Sequence, residues 1–576
     1  MRFLSVFLIA ILPLSAAVPA HPRIFMPANA VAPLKARIQS DPVAKLLHGK
    51  AMERAGRTLT EEPVRYEIPD GLRLLGSSRN AIAHILHTAY AWRMTGDRKY
   101  LDRCVKELDA VCAFQDWNPK HFLDVGEMST AVAIGYDWLY PDLTADQRKR
   151  YAEALSIKGI AALPAKPPGW WSRPTNNWAQ VCNGGFMIAA DAIQDVKPEQ
   201  AAPILTHTRE VIKACESFYK PDGAYPEGPA YWHYGSTYHI LAMAVEEREA
   251  PLKLEPLWQQ TSRFLIHSTG SSGMPFNYAD AGPGQADVSP AQTWLATRTG
   301  DTLAIKNVRD LINRRYTDKK PPSDRFLPLT LLWLPPAKEA AAPETKAIYR
   351  GEQSLAFLRS DWSPGALWLG IKGGTPAASH GHMDSGSFVL DWAGTRWFHD
   401  LGSDDYNMPG YFGGQRFTYF RLQNLSHNTL VIGGGLQNPK AASCPVNPFQ
   451  DRDGTTTFTI DLSPAYTDQC KEALRKIAFN GAKREIDFTD ALKDPTGPVR
   501  WQAVTDAKVT LDGRTATLEK SGHQLVLTTP NEGVEWKLAD AKPPTEREKQ
   551  NAGFRILSIE TPKATEVALK VKISAK

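Results

Sequence analysis

The sequence predicts a multidomain α+β protein in which an N-terminal (α/α) toroid is followed by a C-terminal antiparallel β-sandwich. Three observations predict this fold: apolar residues recur with helical spacing from about residue 30 to 320, a proline- and alanine-rich stretch follows, and short strand-like runs occupy the rest. With 576 residues, of which 43% are hydrophobic, the chain is long enough to bury more than one core.

The helical half is predicted from periodicity. Between residues 81 and 93 apolar side chains recur every three or four positions, and the pair Gly96-Asp97 ends that helix in a turn. The same spacing returns in segments 100–114, 125–139, 145–163, 178–193, 204–218 and 238–247. Consecutive helices of this length, without a sequence repeat of fixed length, favour a toroid over residues 21–335.

The strand-rich half begins after a predicted linker. Residues 336–346 are rich in Ala, Pro and charged side chains, which is typical of a connection between domains. Beyond it, the apolar run 366–371 is bounded by Pro-Gly and Gly-Gly pairs, and the runs 388–392 and 396–398 flank an Ala-Gly turn as in a hairpin. Strands at short intervals without helices between them predict an antiparallel β-sandwich over residues 347–576.

The first 20 residues have the composition of a secretory signal peptide, with one positive charge, an apolar run and small residues at its end. We therefore expect a periplasmic or secreted protein. Because no later run reaches the roughly 18 apolar residues of a spanning helix, no stable membrane insertion is expected. Cys444 and Cys470 lie in one strand-rich region, and the sequence leaves their disulfide state open.

The charge of the chain bears on its partners. A net charge of +5 is small for this length, and no basic tract is present, so no nucleic-acid partner is expected. Net charge does not report how charges are distributed, so a local basic cleft for an acidic polymer is compatible with the sequence. The oligomeric state is left open.

Segment 379–388, Ser-His-Gly-His-Met-Asp-Ser-Gly-Ser-Phe, concentrates the chemistry of the second half. In an extended chain, His380 and His382 would project to one face, where Asp400 and His427 could reach them from neighbouring strands. Imidazole and carboxylate ligands suit zinc, and three protein ligands with an open position are a familiar zinc arrangement. The alternative interpretation is a chance pair of histidines on a half-buried strand.

This segment and three others resemble the heparinase II/III-like polysaccharide lyases. The other three are Asn-Asn-Trp at 176–178, Tyr-Pro-Glu-Gly-Pro-Ala-Tyr-Trp-His-Tyr at 225–234 and Phe-His-Asp-Leu-Gly at 398–402. They fall in both predicted domains, so the resemblance covers most of the chain. It implies a lyase that cleaves an anionic, uronic-acid-containing polysaccharide or oligosaccharide by β-elimination: the proton alpha to the carboxylate is removed and the glycosidic oxygen leaves.

The resemblance also implies catalytic residues. Tyr231 would be the general base or acid, and Tyr234 is the reserve candidate. Asn176 and Asn177 stand where relatives carry a side chain that contacts the uronate carboxylate, although an Asn pair before a helix is also an ordinary N-cap. His380 would be the catalytic histidine of the β-domain, which helps to neutralise the carboxylate or transfers a proton.

The two histidines of segment 379–388 are thereby divided between two roles. His382, Asp400 and His427 would form the zinc site, and the metal would be mainly structural, pinning strands beneath the cleft and orienting nearby groups. Asp384 and His399 are alternative ligands.

Four further residues are predicted to bind substrate. Sugar rings present apolar faces that stack on aromatic side chains, which suits Trp178 and Trp232, each with the alternative of packing between helices. His233 is a neighbour that could tune the tyrosines beside it, and Arg416 could pair with an acidic group of the substrate.

Two other classes of function compete with a lyase. Helical toroids also host glycoside hydrolases, which need two positioned carboxylates. Asp124, Glu127, Asp222 and Glu227 are available for that role, but their spacing singles out no pair. A noncatalytic glycan-binding protein could also keep the fold without the chemistry.

Overall fold

The computed structural model describes residues 18–165, 169–248 and 251–576. The predicted signal peptide, apart from its last three residues, lies outside the described residues. The α-helices of the N-terminal half are α1 Val31–Ser40, α2 Pro42–Thr58, α3 Leu75–Thr95, α4 Arg98–Ala113, α5 Leu123–Leu139, α6 Ala145–Ala154, α7 Ala162–Ala165, α8 Asn177–Ile193, α9 Pro198–Ala214, α10 Gly228–Glu246, α11 Pro256–His267, α12 Pro290–Thr299, α13 Thr302–Tyr316 and α14 Leu327–Leu332.

These helices close into a ring, which confirms the predicted toroid. Helices α3, α5, α8, α10, α12 and α14 contact one another in that order, and α14 returns to contact α3. Helices α4, α9 and α13 pack outside α3, α8 and α12. Every residue of α5 is buried, as expected for a helix enclosed on all sides, whereas α4 buries a single stripe that includes Leu101, Leu108 and Val111.

Local sequence explains where individual helices end. Gly96 adopts a left-handed conformation, with φ of 71°, and its N–H donates to the carbonyl of Trp92 at the end of α3. Asp97 then caps α4, because its carboxylate accepts the backbone N–H of Lys99. The helix end predicted at Gly96-Asp97 is therefore confirmed.

The C-terminal half is built from strands. Helix α14 ends at Leu332 and the first strand begins at Lys346. The strands are β1 Lys346–Arg350, β2 Ser354–Arg359, β3 Trp368–Lys372, β4 Phe388–Trp392, β5 Thr395–Phe398, β6 Leu430–Ile432, β7 Gln450–Arg452, β8 Thr455–Asp461, β9 Glu472–Asn480, β10 Glu485–Lys493, β11 Val499–Thr505, β12 Lys508–Asp512, β13 Thr515–Lys520, β14 His523–Thr528, β15 Lys537–Asp540, β16 Arg555–Thr561 and β17 Glu566–Ala575.

The strands form three antiparallel sheets, which confirms the predicted class of the second half. Their orders are β1-β2-β3-β4-β5, β12-β13-β14-β17-β10-β9-β8-β7 and β15-β16-β11-β6. The hairpin predicted between β4 and β5 is present, and its turn residues Ala393 and Gly394 have φ of 51° and 70°, as a tight hairpin turn with the twist of the strands requires. Phe388, Phe488 and Trp501 meet in the core between sheets.

The first sheet also packs on the toroid. Phe357 of β2 and Trp368 of β3 belong to the same buried cluster as Phe264 of α11. Trp368 donates its indole N–H to the carbonyl of His267, and Arg359 donates to the carbonyl of Thr269. Apolar packing and polar contacts therefore set the position of the β-domain against the helical ring.

Two remaining expectations concern the whole chain. Among the described residues, no helix combines the length and apolar character that a bilayer span requires. Cys444 and Cys470 carry free thiols, as do the other four cysteines, so no disulfide joins them.

Candidate functional site

The predicted catalytic residues of the two domains meet between the toroid and the β-domain. Tyr231 lies in the first turn of α10, and His380 lies in the loop between β3 and β4. Their rings stack, with centroids 4.2 Å apart and planes 21° from parallel. The Tyr231 hydroxyl hydrogen-bonds the Tyr406 hydroxyl at 2.6 Å. A toroid residue and two residues of the β-domain thus form one cluster of proton-carrying groups.

The loop that carries the two histidines is a turn rather than the extended strand the spacing predicts. His380 has φ of 58°, which is uncommon for a residue with a side chain. At the following Gly381, a Cβ would lie 2.4 Å from the carbonyl oxygen of Pro376 and 2.8 Å from that of Ala378. The expectation that the histidines share one face of an extended chain is therefore wrong, because this turn sets their directions.

The two histidines converge on Asp280, a toroid residue in the segment between α11 and α12. Its Oδ2 lies 2.6 Å from Nδ1 of His380, and its Oδ1 lies 2.9 Å from Nε2 of His382. The same Oδ1 accepts from the hydroxyl of Tyr411 at 2.9 Å and from Nη2 of Arg416 at 3.0 Å. Four donors from the β-domain therefore share one toroid carboxylate.

The contacts of Asp280 determine its charge. Burial opposes ionisation, but the hydrogen bonds from His380 and His382 and the charge of Arg416 outweigh it and hold the pKa of Asp280 well below its ordinary value. Asp280 is therefore an anion that ties the two domains together. Sequence reasoning missed it, because a lone Asp in a loop 100 residues before His380 carries no motif.

The residues predicted to bind metal lie together and are fully buried. One ligand atom from each of His382, Asp400 and His427 lies within 4.8 Å of the others. Nδ1 of His382 and Nε2 of His427 are 3.3 Å apart, and Nδ1 of His427 is 3.0 Å from Oδ2 of Asp400. Two nitrogens bound at about 2.05 Å to a tetrahedral zinc ion would be about 3.3 Å apart, which matches the spacing of the two facing nitrogens, while Asp400 contacts the opposite nitrogen of His427.

The other nitrogen of His382 faces Asp280, which is the carboxylate–histidine arrangement that orients metal ligands. The alternative ligands lie elsewhere. Asp384 pairs with the Lys372 ammonium, and Nε2 of His399 lies 3.0 Å from Asp506. Neither residue belongs to the group of His382, Asp400 and His427, whose ligand atoms lie within 4.8 Å of one another.

Asn176 and Asn177 lie at the start of α8 and have different contacts. Oδ1 of Asn176 accepts the backbone N–H of Trp178, so Asn176 caps the helix, with its amide nitrogen remaining as a donor. The amide nitrogen of Asn177 lies 3.2 Å from both carboxylate oxygens of Glu227. Glu227 in turn lies 3.7 Å from Nε2 of His380. Asn177 is thereby connected to His380 through Glu227.

The residues predicted to bind substrate separate into exposed and buried ones. Trp178 is partly exposed and contacts the ring of His121 at 4.9 Å. Trp232 is completely buried, and its indole N–H donates to Thr261 Oγ1 at 2.7 Å. The structure therefore corrects the assignment of Trp232, which has no surface to offer a sugar. His233 faces a cavity of about 270 Å³ on the other side of α10 from Tyr231.

Two further candidates, Arg416 and Tyr234, contact charged or polar groups of the protein. Arg416 donates to Asp280 and, through Nε at 3.2 Å, to the carbonyl of Gly381. It therefore braces the histidine loop. Tyr234 lies one turn after Tyr231, with its ring centroid 4.9 Å from the guanidinium carbon of Arg79.

The structure adds two aromatic residues that the sequence did not single out, Tyr406 and Phe412. Phe412 is 56% exposed, and its ring lies 5.8 Å from that of His380 in an edge contact. Both residues lie in the stretch between β5 and β6, which has no regular periodicity, so only the fold brings them to Tyr231 and His380. An exposed aromatic ring beside Tyr231 and His380 is a surface on which a sugar can stack.

Part of the sequence is similar to known proteins. Residues 354–569 match the family described as heparinase II/III-like, C-terminal. An exo-oligoalginate lyase of Saccharophagus degradans is 22% identical over 325 residues, which are 52% of this chain and 42% of that protein. The chain thus aligns with less than half the length of this curated relative.

Solved structures of lyases share the fold across both domains. A heparinase III superposes with a TM-score of 0.61 at 14% identity, covering 92% of this chain and 84% of its own. The chondroitin AC lyase of Streptomyces coelicolor A3, solved in complex with chondroitin sulphate, superposes with a TM-score of 0.53 at 13% identity, covering 95% and 82%. Residues 354–569 therefore match the heparinase II/III-like C-terminal domain family, and the described residues share the toroid-plus-sandwich fold of heparinase III.

Proposed function

We propose that this protein is a polysaccharide lyase that cleaves a uronic-acid-containing polysaccharide or oligosaccharide by β-elimination. The observation that carries the proposal is the stacked pair of Tyr231 and His380, brought together from two domains and bounded by Glu227 and Asp280. The lyase relatives in sequence and fold support the same reaction class.

The surroundings of Tyr231 favour the role of acid. Burial raises the pKa of its hydroxyl, so the resting residue carries its proton at neutral pH. A protonated phenol can donate to the glycosidic oxygen as that oxygen leaves, whereas a phenolate base would have to form against the burial. The hydrogen bond to Tyr406 holds the hydroxyl in place until substrate replaces it.

The complementary proton acceptor is His380. Its Nδ1 faces Asp280, and a proton on Nδ1 leaves the lone pair on Nε2. Because the His380 ring stacks against Tyr231, its Nε2 would accept the C5 proton close to the Tyr231 hydroxyl, which donates a proton to the leaving oxygen. Acid and base on adjacent stacked rings match the two proton transfers that the elimination needs.

The substrate carboxylate must be neutralised before the C5 proton can leave. Asn176 is the better placed of the two asparagines, because its amide nitrogen is left as a donor once Oδ1 has capped α8. Asn177 instead holds Glu227 beside His380. We therefore assign carboxylate binding to Asn176 and positioning to Asn177.

We further propose that His382, Asp400 and His427 hold one zinc ion. The support is the cluster of three buried ligands and the 3.3 Å spacing of the facing imidazole nitrogens. When bound, the ion would fix the loop that carries His380 to the segments before β6 and after β5, which is a structural role. The proton transfers remain with Tyr231 and His380.

The competing functions predict different products. A hydrolase would need two of the acidic candidates to be available to the substrate and to a water molecule. Asp124, however, is hydrogen-bonded to His121 and Asn118, and Glu227 is hydrogen-bonded to Asn177. Incubation with hyaluronan, heparan sulfate, chondroitin sulfate, alginate and glucuronan should raise ultraviolet absorbance, because only a lyase creates a conjugated unsaturated uronate. New reducing ends without that absorbance would indicate a hydrolase, and the absence of both signals would indicate a binding protein.

Because a signal peptide is predicted, we propose that the protein acts in the periplasm or the medium.

A further inference from the structure

A pair of arginines lies on the inner wall of the toroid one helical turn from Tyr231. Nε of Arg79 lies 2.9 Å from Oε1 of Glu127, and Nη2 of Arg325 lies 3.2 Å from the same oxygen. Arg79 is in the second turn of α3, and Arg325 lies just before α14. We call Arg79 and Arg325 the arginine pair.

The arginine pair has more positive charge than its bonded partner neutralises. Glu127 is completely buried, and its second oxygen accepts from the hydroxyl of Tyr238 at 2.7 Å, so it offers nothing more. Asp324 precedes Arg325 in sequence, but its oxygens accept from the backbone N–H of Phe326 at 2.8 Å and from the hydroxyl of Thr330 at 3.2 Å. Two guanidinium groups therefore share one bonded carboxylate.

The cluster also lacks acceptors for its donors. Nε of Arg325 is buried and meets no hydrogen-bond partner in the part of the chain that the structure describes. The side chains of Arg79 and Arg325 are partly exposed, at 38% and 25%. An excess of donors and positive charge on partly exposed side chains favours an anionic ligand with planar or multiple oxygens, which guanidinium groups bind well.

The position of the cluster relates it to the reaction. Tyr234, whose ring contacts both arginines, is three residues after Tyr231 on α10, a rise of about 4.5 Å along the axis. Tyr231 and Tyr234 also share one side of the helix. A substrate held at Tyr231 therefore reaches the arginine pair within about the length of one sugar residue.

We propose that the arginine pair binds the acidic group of the sugar adjacent to the bond that is cleaved, so that two consecutive acidic sugars are recognised. This inference rests on the proposed lyase function and assigns it a second anionic subsite. Glu127 competes with the substrate anion for the arginine pair, because it forms ion pairs with both guanidinium groups in the free protein. The group that fits is a carboxylate or a sulfate ester, since both present several oxygens to the arginines.

Opposite changes in KM test the subsite. Arg325→Gln should raise KM for an acidic oligosaccharide about tenfold with kcat changed less than twofold, because the contact lies away from the reacting atoms. Glu127→Gln should lower KM, because it frees both guanidinium groups. Arg298→Gln removes an arginine paired with Glu247 and should change neither constant. If both Arg325→Gln and Glu127→Gln raise KM, or neither changes it, the subsite is refuted.

The substrate supplies a second control. Reducing the neighbouring carboxylate to an alcohol should remove the difference between the variants, and a sulfated neighbour compared with a carboxylated one identifies which anion is preferred. If no uronate polysaccharide is cleaved, the proposed function fails, and calorimetry of a triuronate with wild type and Arg325→Gln still decides the subsite. Binding weakened about tenfold would support it, and equal binding would overturn it.

Discussion

Tyr231 and His380 derive their assigned roles from what their polar atoms contact. The phenol is buried and hydrogen-bonded to another phenol, and the imidazole has one nitrogen directed at a carboxylate. Neither feature is visible in the sequence segments that suggested the two residues. The contacts between residues distant in sequence convert a resemblance into a chemical hypothesis that single substitutions can test.

Tyr231→Phe should retain the ring stacked on His380 and lose the proton donor. Turnover should fall by roughly 10² to 10⁴, the usual contribution of general acid–base catalysis, with substrate binding and the melting temperature little changed. The measurement is the initial rate of unsaturated product. Tyr406→Phe removes only the hydrogen-bond partner and should have a smaller effect. Unchanged turnover in Tyr231→Phe would eliminate it as the acid.

Asp280→Ala should lower the free energy of unfolding by about 3–5 kcal/mol, because it leaves buried donors, including the Arg416 guanidinium, without their acceptor. Urea titration followed by fluorescence gives this quantity. Asp468→Ala, which removes an exposed carboxylate, is the matched control and should change it by less than about 0.5 kcal/mol. A similar small loss in both variants would show that Asp280 does not hold the domains together.

At the scale of elements, the loop between β3 and β4 carries both histidines in a turn with no room for extra atoms. Gly381→Ala would place a Cβ 2.4 Å from the carbonyl oxygen of Pro376, so the turn must shift. We expect a loss of about 1–3 kcal/mol in stability and a loss of turnover as His380 moves. Gly365→Ala, where nothing lies within 4 Å, is the control. Equal melting temperatures and rates would contradict this account of the turn.

The stability of the same loop should depend on a bound metal ion. Purified protein should contain one zinc ion per chain by elemental analysis, and chelation should lower its melting temperature, because the ion would connect three separate segments of the β-domain. His382→Ala should abolish the metal content, whereas His399→Ala should retain it, since His399 is directed at Asp506. Metal-free protein with an unchanged melting temperature would refute the zinc site.

At the scale of the whole molecule, the N-terminal ends of four inner helices, α3, α5, α8 and α10, carry residues of the proposed site. The residues assigned to chemistry and binding lie near the N-terminal ends of inner helices: Arg79 in α3, Glu127 in α5, Asn176 before α8 and Tyr231 in α10. The positive ends of the helix dipoles therefore lie near the proposed site, which favours an anionic substrate. This arrangement follows from the alternation of inner and outer helices around the ring.

The buried histidines make the whole fold sensitive to acid. Burial lowers the pKa of His87 and His239 to about 3 and that of His267 to about 4, against 6.5 for a free imidazole. The unfolded chain therefore binds protons below pH 6.5 that the folded chain does not, so stability falls as the pH decreases from 6.5 toward 4. These three groups together contribute a slope of about 4 kcal/mol per pH unit.

Urea titrations at pH 7.5, 6 and 5 measure this slope. His267→Gln should be less sensitive to pH by about 1.4 kcal/mol per unit, because one of the three groups no longer titrates. His523→Gln, which replaces an exposed histidine of β14, should leave the slope unchanged. A slope in His267→Gln equal to that of the wild type would contradict the burial argument.

The sequence by itself determined the kinds of element and their order, because helical and strand periodicity, the Gly96-Asp97 helix end and the Ala393-Gly394 hairpin turn are local properties. It also located Tyr231 and His380 through short segments with recognisable residue types. Only the tertiary structure decided that Trp232 is buried, that His380 sits in a turn, and that Asp280 and the arginine pair face the site. The burial of Trp232 and the contacts of Asp280 and the arginine pair depend on packing between separate segments, and local pattern carries no information about which surfaces meet.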